Sequence, residues 1–142
     1  MRRRPLRTLI PVSMLVFAGL STACSDDEQP TNLPEPTDLS GTYELVTLTQ
    51  AGTPTIGPPI ATGTLVLTQT TYVIDLTTPD QTGTPVNTVD NGTYSTDGDN
   101  WTQESSTTGL QGVGTFTLQG NTLTVNVTTV GIEVLTVWNK TG

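Results

Sequence analysis

From residue 41 onward, apolar and polar residues alternate with a period near two, and turn residues cut the alternation into short runs. Leu65 and Leu67, then Tyr72, Ile74 and Leu76, then Leu123, Val125 and Val127 occupy every second position. That spacing puts a set of side chains on one face of a pleated strand. No window there sustains the i, i+3, i+4 spacing of an amphipathic helix. The pattern predicts strands at 41–49, 63–68, 71–77, 89–95, 100–106, 112–119, 122–129 and 132–139, joined mostly by short turns such as Asp97-Gly98-Asp99 and Gly120-Asn121. Leu45-Val46 and Val134-Leu135 break the alternation, as a β-bulge or a doubly buried stretch would. Two longer connections, Gln50 to Thr62 and Thr78 to Thr88, carry five prolines between them and read as flexible loops able to rim an opening or meet a partner.

Eight strands in consecutive hairpins imply an all-β, antiparallel up-and-down meander, and closing it into a barrel would remove its exposed edges. A small β-sandwich is the alternative. Residues 39–142 contain 25 Val, Leu and Ile and six aromatics, enough for one small core. Threonine makes up about a quarter of the chain after residue 23. Its β-branched side chain suits a half-exposed strand and is an indifferent helix former.

The first 38 residues follow another grammar. Arg2, Arg3, Arg4 and Arg7 precede an apolar run from Leu9 to Leu20, interrupted by Pro11 and Ser13, and the small residues Ser21-Thr22-Ala23 lead to Cys24. A run of that length falls short of the roughly 20 residues a spanning helix needs, so residues 1–23 read as a secretory signal peptide. Leu20-Ser21-Thr22-Ala23-Cys24 resembles the lipobox of bacterial lipoproteins, with serine where leucine is more usual. The resemblance implies cleavage before Cys24, diacylation of its thiol with chains such as palmitate, and acylation of the new amino terminus. Two or three acyl chains, at about 0.8 kcal/mol per buried methylene, hold a protein on a membrane where one chain is marginal. An ordinary signal peptide followed by an unrelated cysteine is the plainer alternative.

Ser25, and not Asp, follows the cysteine. By analogy with enteric lipoproteins this implies a bacterial outer-membrane location on the periplasmic face. Ser25-Asp26-Asp27-Glu28 also resembles an acidic surface-export tag, although a solvated acidic spacer explains it more simply. Residues 24–38 hold three prolines and five acids and read as a flexible tether. Extended at about 3.1 Å per residue, they would hold a domain up to roughly 40 Å from the bilayer. The folded domain is then 39–142.

Within 41–140 the chain resembles bacterial lipocalin-like domains, the small barrels carried by lipoproteins. The carriers are Gly41-Thr42-Tyr43-Glu44-Leu45-Val46, Gly92-Thr93-Tyr94-Ser95, Asn121-Thr122-Leu123-Thr124-Val125 and Val137-Trp138-Asn139-Lys140. Lipocalins open their first strand with Gly-x-Trp, whose ring packs at the barrel base under a basic residue from the last strand. Tyr43 stands in the tryptophan's position here and Lys140 in the basic one. The second and third lipocalin motifs are missing. The resemblance implies a monomeric domain whose calyx holds a small apolar ligand, with Tyr43, Leu65, Leu67, Tyr72, Ile74, Leu123, Val125 and Trp138 as candidate ligand-binding residues. The same eight side chains could simply fill the barrel. An apolar interior above about 300 Å³, open at one end, would favour a carrier, and a solid core would favour a domain that displays its surface to another envelope component.

Composition closes off most other classes. After Arg7 the chain has one basic residue, Lys140, against all 13 acids, so nothing could drive binding to nucleic acid by counterion release. There is no histidine, and the single cysteine excludes an internal disulfide or a CxxC metal site. Nucleophilic catalysis lacks a base, and the acids Asp75, Asp90, Asp97, Asp99, Glu104 and Glu133 are too scattered to define a two-carboxylate glycosidase. The chain is therefore expected to be non-enzymatic and to need no cofactor or metal. Asp97-Gly98-Asp99-Asn100 offers oxygen ligands but lacks a calcium loop's closing glutamate, and reads better as a turn.

Overall fold

A computed structural model of the chain describes residues 37–142. Its strands are β1 (Gly41–Gln50), β2 (Thr62–Leu67), β3 (Thr71–Pro79), β4 (Pro85–Asp97), β5 (Asn100–Ser105), β6 (Gln111–Gln119), β7 (Thr122–Thr129) and β8 (Ile132–Lys140). Each pairs antiparallel with the next, and β8 returns to β1, so the sheet closes into an up-and-down barrel. Closure excludes the sandwich, because every strand has a neighbour on both sides and none is left as an edge.

β7 shows how the pattern becomes a wall. Leu123, Val125 and Val127 are buried, while the residues between them face outward. A one-residue slip would put all three apolar side chains in solvent, so the register with β6 and β8 is strongly specified. The barrel's outer surface is correspondingly rich in threonine, with Thr64, Thr71, Thr93, Thr102, Thr115 and Thr117 all exposed.

Because the strands alternate in direction, one end of the barrel gathers the start of β1, the end of β8 and the β2–β3, β4–β5 and β6–β7 turns. This end is filled. The segment before β1 brings Leu39 into the core at 1% exposure, and the Tyr43 hydroxyl donates a 2.7 Å hydrogen bond to the Leu39 carbonyl. Tyr94 stacks on Trp101 with centroids 4.4 Å apart, and Phe116 meets the same indole edge-on at 6.1 Å. Leu67, Leu123 and Trp138 complete the buried cluster. Burial of each such side chain contributes about 1.5–3 kcal/mol, and favourable aromatic pairs add about 0.5–1.5 kcal/mol.

The opposite end carries residues 51–61, the β3–β4 and β5–β6 connections and the Val130-Gly131 turn. Here the structure corrects two expectations. The segment from Thr78 to Thr88 is no loop: β3 and β4 stay paired from Thr71↔Thr93 out to Pro79↔Pro85. The two prolines face each other at the last rung of the ladder, where a missing N–H is tolerated, and Asp80 Oδ1 organises the turn by accepting from the amides of Thr82 and Thr84 at 2.7 and 2.9 Å. The Gln50–Thr62 connection is a loop, but a pinned one. Leu48 and Ile56 exchange backbone hydrogen bonds of 2.7 and 2.9 Å, and Ala61 is fully buried.

Of the two interruptions in alternation, one is a bulge. The β1–β8 register shifts between Leu45 and Thr47, leaving Val46 extra and 43% exposed. β8 alternates without a break: Val134, Thr136 and Trp138 face inward, and Leu135 is outside at 37% exposure. Asp97 through Asn100 form the β4–β5 hairpin turn, with Gly98 at φ 56°.

Candidate functional site

Above the aromatic floor the barrel is hollow. A cavity of about 200 Å³ occupies its middle and open half. Leu65, Ile74, Val125, Val127 and Val134 supply an aliphatic wall, the indoles of Trp101 and Trp138 supply the floor, and Tyr72, Asp90, Gln103, Thr129 and Thr136 supply polar atoms. Beside this cavity, β6 places glycine at two inward positions, 112 and 114. A Cβ on Gly114 would fall onto the Asn126 carbonyl oxygen of β7, and one on Gly112 would meet Val127 Cγ1 at 2.5 Å. At Gly114 the β7 backbone approaches too closely for a side chain, and at Gly112 neighbouring side chains occupy the position.

The polar groups are held by one another. Asp90 Oδ2 accepts a 2.8 Å hydrogen bond from the Tyr72 hydroxyl, and Oδ1 accepts one of 2.6 Å from Ser105 Oγ. Ser105, 6% exposed, also accepts from the Thr108 amide at 3.0 Å, which fixes the serine to the β5–β6 connection. Trp101 Nε1 donates to Gln103 Oε1 at 2.9 Å, and Trp138 Nε1 donates to Thr136 Oγ1 at 2.8 Å. Thr136 in turn donates to the Val125 carbonyl at 3.3 Å. Each indole N–H thus has a partner on its own strand, as a buried donor requires. Burial pushes the Tyr72 phenol well above its ordinary pKa, and its hydrogen bond to Asp90 and that carboxylate's charge push it further.

Of the eight residues singled out from the sequence, Leu65, Tyr72, Ile74, Val125 and Trp138 line the cavity. Tyr43, Leu67 and Leu123 do not reach it, being packed in the closed end at 0%, 3% and 0% exposure. Sequence reasoning missed Trp101, Gln103, Val127, Thr129, Val134 and Thr136 as lining residues, and treated Asp90 only as one of several scattered acids. The signal was the alternation itself: Asp90 shares a strand face with Gly92 and Tyr94, and Thr136 shares one with Trp138.

Two other hollows lie apart from this cavity, one of about 450 Å³ beside Pro58 and Thr62 towards the open end and one of about 510 Å³ beside Thr37 and Thr70 at the closed end. The first is lined in part by Leu45 and the second by Leu39 and Tyr94, but neither shares a residue with the cavity above the indoles. Cys24, the signal segment and most of the tether fall outside the described residues.

No family model matches the sequence, and neither does any curated protein. Among solved structures, the chain is similar to a de novo designed fluorescence-activating β-barrel, with 18% identity over 72% of this chain and 93% of that one and a TM-score of 0.46. It is similar to fatty-acid-binding protein 1 of Echinococcus granulosus at 9% identity, over 73% and 98% of the two chains, with a TM-score of 0.42. The fluorescent protein UnaG gives 11% identity, 72% and 97% coverage and a TM-score of 0.39. Similarity of this degree assigns no ligand to this chain, so the functional reading rests on the cavity.

Proposed function

We propose that this chain is a non-enzymatic, lipid-anchored binding protein of the bacterial envelope, whose barrel takes up a small apolar molecule. The observation that carries the binding half is the unfilled interior above Trp101 and Trp138, with its aliphatic wall and few converging polar groups. Its volume also limits the guest. A cavity of 150 Å³ is enough for benzene, so about 200 Å³ suits one ring with a short arm and not a long acyl chain. The anchoring half rests on the lipobox-like residues ending at Cys24, with the acidic, proline-rich segment behind them as tether and the outer membrane's periplasmic face as the expected location.

Native mass spectrometry of residues 37–142, produced in a bacterial periplasm and purified without detergent, tests the cavity. A bound mass that denaturation removes, and that Val127→Phe abolishes by filling the hollow, is the expected result. A bare mass from folded barrel, together with no uptake of small aromatic probes, would overturn the binding reading. For the anchor, a fatty-acid analogue should label the wild-type protein and not Cys24→Ser, which should be released without membranes. Wild type that takes no label would refute lipidation.

One observation favours a second reading, a display domain without a ligand. The cavity is smaller than the usual pocket range of about 300–1,000 Å³, and residues at the open end such as Ile60 and Val130 are 63% and 75% exposed. The bare-mass outcome would shift the assignment to that class.

A further inference from the structure

We infer that the molecule held in the barrel is a small hydrophobic amine, whose ammonium group is received by Asp90. This rests on the ligand-binding reading above and specifies the chemistry of its head group.

Among the described residues Asp90 is the only acidic side chain lining the cavity, and its position is set from two strands, by Tyr72 of β3 and Ser105 of β5, at 2.8 and 2.6 Å. Both partners are hydroxyls, so they orient the carboxylate without neutralising it. Nothing else nearby does so. The sole basic residue of 37–142 is Lys140, which lies at the closed end with Nζ 2.6 Å from the Ser40 carbonyl and 5.7 Å from the Tyr43 ring centroid. No histidine exists in the chain.

Half-buried Asp90 opens onto a hollow lined by no basic side chain among the described residues, and a cationic guest there meets a Coulomb attraction stronger than in water. Each oxygen accepts one protein hydrogen bond and keeps a further acceptor direction for a ligand N–H. The indoles of Trp101 and Trp138 supply apolar surface for the body of the guest. A fatty-acid anion meets the opposite situation, a like charge with no cation to receive it.

The test uses the purified full chain and four probes of one shape: 2-phenylethylamine, 2-phenylethanol, propylbenzene and 3-phenylpropanoate. Trp101 and Trp138 are the only tryptophans in the chain and both line the cavity, so their fluorescence reports occupancy directly. The amine gains a charge-assisted hydrogen bond that propylbenzene lacks, so it should bind at least about tenfold more tightly. The anion should bind most weakly. Asp90→Asn, which keeps the side chain's shape, should bring the amine to within about threefold of the alcohol.

An amine no tighter than the alcohol or hydrocarbon would overturn the inference while leaving an apolar binding site standing. So would an anion that matches the amine, or a preference that survives Asp90→Asn. Failure of all four probes to bind would remove the binding reading and this inference together. The wild-type ranking decides the matter by itself if the variant does not fold.

Discussion

Lys140 Nζ sits 5.7 Å from the centroid of the Tyr43 ring and donates a 2.6 Å hydrogen bond to the Ser40 carbonyl, so one side chain of β8 clasps the start of β1 at the closed end. The two residues are also opposite each other in the ladder that closes the barrel. Tyr43 has no exposed surface, and its hydroxyl reaches the Leu39 carbonyl. Lys140→Met, which keeps the aliphatic stem, should therefore cost about 1 kcal/mol through the lost hydrogen bond and cation–π contact. Tyr43→Ala should cost about 3–5 kcal/mol, as truncation of a buried aromatic does. Urea unfolding checks both, and equal midpoints for the two variants would contradict this account.

All three tyrosines of the chain are shifted upward from 10.0. Burial is the leading cause for each, and it pushes Tyr94 up to about 12. A phenol that holds its proton more tightly when folded stabilises the fold fully below the unfolded value, and that contribution is lost as pH rises through the folded one. Thermal stability should accordingly show no tyrosine-linked loss up to about pH 9.5 and fall steeply between about pH 10 and 12. Phenolate absorbance should appear only with unfolding, whereas the urea-denatured chain titrates near the ordinary value.

Adjacent residues on β6 should respond in opposite ways. Gly114→Ala drives a methyl into the β7 backbone at Asn126 and should cost more than about 2 kcal/mol, since the obstacle is a carbonyl and not a flexible side chain. Val113→Ala removes a side chain that is 58% exposed on the barrel's exterior and should stay within about 1 kcal/mol of wild type. Melting temperatures of the two variants give the comparison.

Val130 holds a φ of 51° at the tip of the β7–β8 turn, followed by Gly131 at 77°. Left-handed backbone is costly for a β-branched residue, and at 75% exposure the side chain gains little from packing. Val130→Asn would create the Asn-Gly pair that two-residue hairpins favour. It should raise stability by about 0.5–1 kcal/mol, read as a higher urea midpoint with an unchanged slope.

The order of all eight strands, and the approximate limits of all but the β3–β4 hairpin, followed from alternation and turn residues alone, because a half-buried strand must place every second side chain in the core. That Tyr43 and Lys140 meet was implied only by the resemblance to lipocalin-like domains, not by the alternation. What the linear pattern left open was decided by which residues meet across the ladder. Pro79 and Pro85 look like loop formers in sequence, yet facing each other at a terminal rung they end a long hairpin. Leu135 looks like core and Thr136 like surface, but the β8 register turns the threonine inward, where Val125 and Trp138 satisfy its hydroxyl. Asp90 is one acid among many until the barrel closes around it and brings Tyr72 and Ser105 to its two oxygens. The local period of two determined which elements form. The hollow and its polar atoms arose only when residues far apart in the chain were brought within hydrogen-bonding distance, a relation that no single strand's sequence contains.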